Sequence, residues 1–230
     1  MIDKEKIKAF FKELVDTAVF VIVAVIIIRF LLVELRYIPS GSMLPTLVGH
    51  PGFWGDRIVV EKLTKFPQLL SEHRFQNKPK RGDVMIFYPP SVELKYDLWS
   101  LFKRLTGFGC KDIAYIKRVI GLPGEQLEIR ENSNGAHYVY INGQRLEEPY
   151  IMSEFGYNKC TEEMFCGPFV IPEGEYFMMG DNRGNSQDSR FWGTLPEERF
   201  IGRAVCIIFP FNRIGLIKWS KPSSVKGLAL

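Results

Sequence analysis

Apolar residues fall into one long run near the N-terminus and, after it, a series of short runs of strand length. The long run, residues 14–33, reads LVDTAVFVIVAVIIIRFLLV and is apolar at nearly every position. A helix of about 20 apolar residues crosses the roughly 30 Å of bilayer hydrocarbon. Asp16 and Arg29 lie near its ends, where their charges can reach the interface. We therefore predict a transmembrane anchor over 14–33, with a core helix of a soluble domain as the alternative.

The charges around this run predict its orientation. Four lysines precede it, namely Lys4, Lys6, Lys8 and Lys12. Close behind it the only basic residues are Arg29 and Arg36, and basic residues are enriched on the cytoplasmic side of a span. No small-residue cleavage site follows the run, as it would in a secretory signal peptide. We expect residues 1–13 in the cytoplasm and residues 34–230 outside it.

The short apolar runs are rich in β-branched residues and predict a mainly β fold. They cover residues 56–62, 83–88 and 115–122, and they continue in YFMMGD and AVCIIF. Residues 137–150 are typical of a hairpin, because Asn142-Gly143 between alternating apolar residues is a strong signal for a tight turn. Strands and helices do not alternate along the chain, so the sheet is expected to be antiparallel rather than parallel.

Two segments depart from the strand pattern. Residues 66–81 are polar and basic with two prolines, which predicts a surface loop. Residues 92–108 carry apolar side chains at helical spacing. This second segment is either a helix packed on the domain or, because Trp99 and Phe102 share it with basic residues, a helix on a membrane surface.

Composition and cysteine content narrow the function classes. The formal net charge of +4 is modest, and acidic and basic residues are well mixed, so we expect no nucleic-acid partner. Four cysteines allow three pairings. We favour a disulfide between Cys160 and Cys166 in an oxidising compartment, with Cys206 as a core thiol and no role for Cys110.

Serine and lysine are the candidates for chemistry. The three histidines stand far apart in no metal spacing, so we expect neither a metal nor another cofactor. The stretch YIPSGSMLPTL, residues 37–47, instead places serines in a turn bounded by proline. A serine hydroxyl is a poor nucleophile until a base removes its proton. A neutral lysine can be that base, because burial lowers the pKa of an ammonium group.

Lys117 is the candidate base. Strand alternation in YIKRVIGL places Lys117 with Tyr115 and Val119 on one face of a strand. Ile116, Arg118 and Ile120 then lie on the other face. On the residues alone, a solvated edge lysine and an ordinary loop serine explain the same pattern.

Four sequence blocks, in the order of a known family, favour the catalytic interpretation of Ser42 and Lys117 by resemblance. The first is the apolar run followed by IPSGSMLPTL, and the next three are RGDVMIFYP, YIKRVIGLPGE and MGDNRGNSQDSRFWG. With GDRIVVEK and EPY they extend from Ile38 to about Arg203. The chain resembles the bacterial type I signal peptidases, which are Ser/Lys dyad peptidases.

The resemblance implies a role for each serine and for the lysine. Ser42 matches the nucleophile and Lys117 the general base. The Ser40 hydroxyl and the Ser42 backbone N–H match the oxyanion hole, and Ser186 matches the serine that orients the lysine. Residues that match the supporting polar side chains are Asp181, Asn182, Arg183, Asp188 and Arg190. For Asp188 and Arg190, a salt-bridged turn beside the site is the alternative description.

The resemblance also implies a substrate pocket and a fold. The residues implied to line the pocket are Ile38, Pro39, Met43, Leu47, Ile58, Tyr115 and Ile116. The fold would be an antiparallel, coiled β-sheet catalytic domain with a small β excursion over 128–175, preceded by the single helix. One departure is Gly184, where the family often has Asp. We expect this change to alter local packing and to leave activity intact.

The implied activity is removal of signal peptides from exported preproteins after a small-x-small motif such as Ala-x-Ala. The implied location is the bacterial cytoplasmic membrane, with preprotein signal peptides and membrane lipid as partners and the catalytic domain on the outer face. The sequence leaves the oligomeric state open, with a monomer as the default. Alternatives are a related Ser/Lys peptidase that matures pilins or cleaves itself as a repressor, and a non-catalytic β module that binds peptides.

Overall fold

A computed structural model describes residues 4–31, 33–52, 54–62, 78–94, 97–99, 114–133, 135–151, 160 and 164–217. Helix α1, Lys4–Leu31, comes first, and the rest of the described chain is mainly β. The predicted helix over 92–108 and loop over 66–81 lie largely outside the described residues. The prediction of a mainly β fold with an antiparallel sheet is confirmed.

The predicted membrane anchor is not supported. Among the described residues, no helix is long and apolar enough to cross a membrane. Charged residues extend to Asp16 at one end of the apolar run, and Arg29 interrupts it at the other.

The larger sheet holds eight strands that all pair antiparallel. The order across it is β1-β2-β11-β3-β4-β9-β10, with β12 also on β11. Its strands are β1 Val33–Tyr37, β2 Arg57–Glu61, β3 Val84–Phe87, β4 Tyr115–Gly121, β9 Glu175–Met179, β10 Leu195–Pro196, β11 Phe200–Phe209 and β12 Gly215–Leu216. Register shifts interrupt the pairing of β11 with both β2 and β3, and such irregularities bend a strand and increase the twist of its sheet.

A smaller sheet of four strands lies within the range predicted for the β excursion, apart from the first residues of β5. Its order is β7-β6-β5-β8. The strands are β5 Gln126–Glu131, β6 His137–Ile141, β7 Gln144–Arg145 and β8 Phe169–Val170. The predicted hairpin forms between β6 and β7, with positive φ at both Asn142 and Gly143, as a tight hairpin turn of this type requires. A disulfide joins Cys160 and Cys166 beside this sheet.

Strand β4 lies at the junction of the buried apolar clusters. Its Ile116 packs with Ile58 and Ile86, while Ile120 packs with the inner face of the smaller sheet. Val119 belongs to a third cluster between the two. Because β4 is central in its sheet and buried on both faces, a polar side chain on it is withdrawn from water.

Candidate active site

The serine-bearing turn is held by apolar anchors on both sides. Ser42 lies in a 3₁₀ turn, Gly41–Met43, in the connection from β1 to β2. Ile38, before the turn, and Met43 and Leu47, which follow Ser42, are buried in one apolar cluster. Because these side chains cannot leave the core without exposing their apolar surface, the segment between Ile38 and Leu47 is fixed in place.

Lys117 reaches this turn from strand β4. Its Nζ lies 2.8 Å from Ser42 Oγ, and both residues are buried. Tyr115 and Val119 pack in one apolar cluster, whereas Ile116 packs in another, so the strand alternates as the sequence predicted. The structure therefore brings together the two residues proposed for the chemistry, 75 positions apart in sequence.

Burial changes the protonation of Lys117. Loss of hydration disfavours the ammonium form and lowers the pKa of Lys117 to about 8. The negative charges of Asp188 and Asp181 oppose this shift, and the positive charge of Arg190 reinforces it. A substantial fraction of Lys117 is consequently neutral near pH 8, where an ordinary lysine is almost entirely charged.

The other serine of the turn lies at the edge of the same site. Ser40 Oγ is 3.4 Å from Ser42 Oγ, and the residue is exposed to solvent. Its hydroxyl is therefore next to the reactive oxygen and accessible from the cleft. The geometry is compatible with the oxyanion-hole role that the sequence implies for Ser40.

The segment after β9 forms the floor beneath the turn. Asn182 N–H donates to Ser42 O at 3.0 Å, and Asn182 Nδ2 donates to Gly41 O at 3.1 Å. A side chain at Gly180 would overlap Ser42 O and Ser186 Oγ, so only glycine fits there. The floor is thus bonded directly to the backbone of the turn that carries Ser42.

Asp181 and Arg118 brace the turn from behind. Arg118 Nε donates to Asp181 Oδ1 at 2.8 Å, and Arg118 Nη2 donates to Asp181 Oδ2 at 2.6 Å. Thr46, on the serine loop, donates from Oγ1 to Asp181 Oδ2 at 2.5 Å. Arg118 also stacks over the ring of Tyr150, 4.0 Å from its centroid, and donates to Gly82 O. This fully buried pair joins β4, the floor and the serine loop.

Asp188 and Arg190 form a second buried pair under the floor. Asp188 caps the short helix α2, Ser189–Trp192, and accepts from Gly180 N–H at 3.1 Å. Burial would raise the pKa of Asp188, but the hydrogen bonds and charge of Arg190 outweigh burial and hold it below the usual value. Arg190 Nη2 also donates to Arg183 O at 2.8 Å. A salt-bridged turn describes this pair well.

Arg183 links the floor to the smaller sheet. Its Nε donates to Gly180 O at 2.9 Å, and its guanidinium forms an ion pair with Glu148 just beyond β7. Tyr150 OH donates to the same carboxylate at 2.8 Å. Sequence reasoning assigned a role to Arg183 but missed Glu148, Arg118 and Thr46. All three lie within the quoted stretches of sequence, and their charged or hydroxyl side chains could have indicated a role at the site.

Comparisons with known proteins show which family the chain belongs to. The family model described as "Signal peptidase, peptidase S26" matches residues 11–209, which is most of the chain. The chain belongs to the signal peptidase family. As a member of peptidase S26, it is a serine peptidase and a hydrolase.

Individual relatives of the peptidase are named as signal peptidases I. A Synechocystis protein named "Probable signal peptidase I-1" is 39% identical over 209 residues, covering 90% of this chain and 86% of that protein. A Leptolyngbya laminosa "Signal peptidase I" is 42% identical over 188 residues, covering 82% and 74%. A Bacillus licheniformis "Signal peptidase I" is 32% identical over 208 residues, covering 88% and 90%.

A cavity of about 580 Å³ opens in front of the Ser42 and Lys117 side chains of the peptidase. Of the residues expected to line it, Pro39, Tyr115 and Ile116 do so. The other residues expected to line the cavity are buried in the apolar core instead: Ile38, Met43, Leu47 and Ile58. Lining residues that the sequence did not suggest for this role are Ala114, Gly184, Asn185, Gln187 and Phe191.

Ser186 lies in the lining of this cavity together with Lys117. Within the described part of the chain, its buried Oγ makes no hydrogen bond to Lys117 Nζ. The predicted hydrogen bond from Ser186 to Lys117 is therefore not formed in this conformation. Its role in orienting the lysine stays a prediction.

Proposed function

We propose that the peptidase removes N-terminal signal peptides from exported preproteins, cutting after a small-x-small motif with Ser42 as nucleophile and Lys117 as general base. The observation that carries this proposal is the 2.8 Å contact between Lys117 Nζ and Ser42 Oγ in a buried site. A lysine withdrawn from water and placed on a serine hydroxyl is the arrangement that Ser/Lys catalysis needs. The printed names of the relatives support the substrate class.

The chemistry follows from the protonation of Lys117. In the amine form, the Ser42 hydroxyl donates to the lone pair of Nζ, and the proton moves to Nζ as Oγ attacks the scissile carbonyl. The resulting ammonium then protonates the leaving amine when the peptide bond breaks. Water, activated in turn by neutral Lys117, hydrolyses the acyl-enzyme on Ser42. We propose that Ser186 bonds Lys117 during these steps.

The negative oxygen of the tetrahedral intermediate needs donors aimed at it. The Ser40 hydroxyl, close to Ser42 Oγ and accessible from the cavity, is proposed as one. The backbone N–H of Ser42 is proposed as the other. Because both donors belong to the same short turn as Ser42 Oγ, their positions relative to that oxygen stay constant.

We propose that the substrate binds in an extended conformation along the cavity. Main-chain hydrogen bonds to an exposed strand edge would supply the grip, and side-chain pockets would supply the specificity. We propose that Tyr115 and Ile116, which line the cavity beside Ser42 and Lys117, select small side chains near the cleaved bond.

We propose that the enzyme associates with a membrane through α1. Apolar side chains on this helix, including Val19, Phe20 and Val23, are exposed to solvent. Exposed apolar surface of this extent marks a site of interaction. The disulfide between Cys160 and Cys166 supports an extracytoplasmic catalytic domain, because such bonds persist in oxidising compartments.

The proposed activity is tested with purified full-length enzyme and a preprotein that carries an Ala-x-Ala site. Mass spectrometry of the products identifies the cleaved bond. Wild type should cut after the second alanine, and Ser42→Ala and Lys117→Ala should lose at least about 10³-fold in rate. The exposed Ser133→Ala and Lys78→Ala are matched controls that should keep full activity. An intact preprotein with wild type, or normal cleavage by either site variant, contradicts the proposal.

A further inference from the structure

The peptide unit between Gly41 and Ser42 decides where the Ser42 N–H points. A trans peptide is planar, so the Gly41 C=O and the Ser42 N–H point in opposite directions. Glycine on one side of this unit gives it more rotational freedom than any other residue would. The Ser42 N–H must point at the developing oxyanion, but the sequence around the Gly41–Ser42 peptide does little to fix its orientation.

Asn182 supplies contacts that fix this peptide. Its Nδ2 donates to Gly41 O at 3.1 Å, and its backbone N–H donates to Ser42 O at 3.0 Å. Gly41 O also accepts from Leu44 N–H at 3.2 Å, the bond that closes the 3₁₀ turn. Both lone pairs of Gly41 O are thus engaged, one within the turn and one from the floor, and two successive carbonyls of the turn are held by a single residue.

The orientation of the Asn182 amide follows from its partners. Turning the amide over would set Oδ1 against Gly41 O, placing two acceptors in contact. Asn182 is buried, so a weakened contact is not replaced by bulk water. In the bonded orientation, the donors on Gly41 O also polarise the peptide and make the Ser42 N–H a stronger donor.

We propose that Asn182 is a positioning residue that aims the Ser42 N–H at the oxyanion. By holding Gly41 O on the floor side, the Asn182 side chain turns the Ser42 N–H toward the cavity. This inference rests on the proposed function, because it assigns a role within that oxyanion hole. It predicts that the Asn182 side chain stabilises the tetrahedral state and contributes little to binding of the uncleaved substrate.

The test compares two ligands on the same variants. A peptide aldehyde ending in Ala-x-alaninal adds to Ser42: the Oγ–C bond forms, the aldehyde π bond opens to an oxyanion, and the serine proton passes to Lys117. The matching peptide alcohol cannot form this adduct and reports binding alone. Asn182→Ala removes the side-chain donor without adding charge and keeps the backbone bond to Ser42 O. Asn182→Asp preserves the shape and replaces the donor with an acceptor.

Both variants should lose about 10- to 100-fold in kcat and in affinity for the aldehyde. KM and affinity for the alcohol should change by no more than about twofold, because the oxyanion contact exists only in the tetrahedral state. A destabilised variant remains informative, because partial unfolding lowers both affinities equally and leaves their ratio unchanged. Asn132→Asp, in a turn of the smaller sheet, is the matched control and should behave as wild type.

The outcomes separate this inference from the activity on which it rests. If Ser42→Ala is inactive but both Asn182 variants keep the wild-type ratio of aldehyde to alcohol affinity, the positioning role is wrong and the proposed function stands. If both ligands weaken equally, Asn182 supports the fold alone and the inference is also overturned. If Ser42→Ala cleaves normally, the proposed function itself fails.

Discussion

At the scale of single residues, the burial of Lys117 lowers both its pKa and the stability of the fold. Burial lowers its pKa to about 8 from the ordinary value of 10.5. The folded protein therefore holds a proton on Lys117 less firmly than the unfolded chain does. Below pH 8 this difference destabilises the fold by its full amount. The penalty fades as the pH rises from about 8 to 10.5, where the unfolded lysine also becomes neutral.

Replacing Lys117 with an uncharged residue of similar length should consequently stabilise the protein. At pH 7 we expect Lys117→Met to raise the free energy of unfolding by on the order of 3 kcal/mol, from a shift of about 2.5 pKa units at about 1.4 kcal/mol per unit. Urea unfolding at pH 7 and at pH 10 measures the change, and the gain should shrink at the higher pH. The exposed Lys78→Met is the control and should have little effect at either pH. If Lys117→Met is instead destabilised at pH 7, burying the charge costs less than the contacts of Lys117 contribute, and the expectation is wrong.

At the scale of elements, β4 carries both the proposed base, Lys117, and Arg118, which braces the site. Lys117 and Arg118 are adjacent, so alternation sends one to Ser42 and the other to Asp181. The buried ion pair locks β4 to the floor, and Thr46 locks the serine loop to the same carboxylate. The distance between base and nucleophile depends on this three-way junction.

Removing the charge of Arg118 from its ion pair with Asp181 should leave an uncompensated buried carboxylate. We expect Arg118→Met to lower the free energy of unfolding by about 3–5 kcal/mol. Adding Asp181→Asn neutralises the stranded carboxylate, and the double variant should recover part of the loss. Arg130→Met, at an exposed ion pair on the smaller sheet, should cause no measurable change in urea unfolding. Equal effects of Arg118→Met and Arg130→Met would contradict the bracing role.

Sequence patterns predicted the local elements well and the long-range contacts poorly. The Asn142-Gly143 turn follows from backbone preference at two adjacent residues. The contact of Asn182 with Gly41 spans 141 positions, and nothing in either segment alone specifies it. Ile58, which the resemblance placed in the pocket lining, packs instead in the apolar core with Ile116, and no pattern around residue 58 distinguishes these two positions.

At the scale of the whole molecule, the smaller sheet supports the site through Glu148 and Arg183, while α1 extends from the other end of the larger sheet. The proposed membrane association through α1 is tested on the full chain. We expect Val19→Asp with Val23→Asp to weaken binding to anionic phospholipid vesicles at least tenfold, because the pair removes about 2 kcal/mol or more of apolar burial. Vesicle sedimentation measures this. Val170→Asp, also exposed but on β8, is the control, and an equal loss with it would exclude α1 as the contact.

The most direct test of the account is the pH dependence of kcat/KM, which reports the protonation of the free enzyme. If neutral Lys117 activates Ser42, kcat/KM for preprotein cleavage should rise about 50-fold from pH 6 to pH 8, with a midpoint near the Lys117 pKa of about 8. Above that pH it should level off. A profile that is flat over this range, or that falls as the pH rises, would contradict Lys117 as the base.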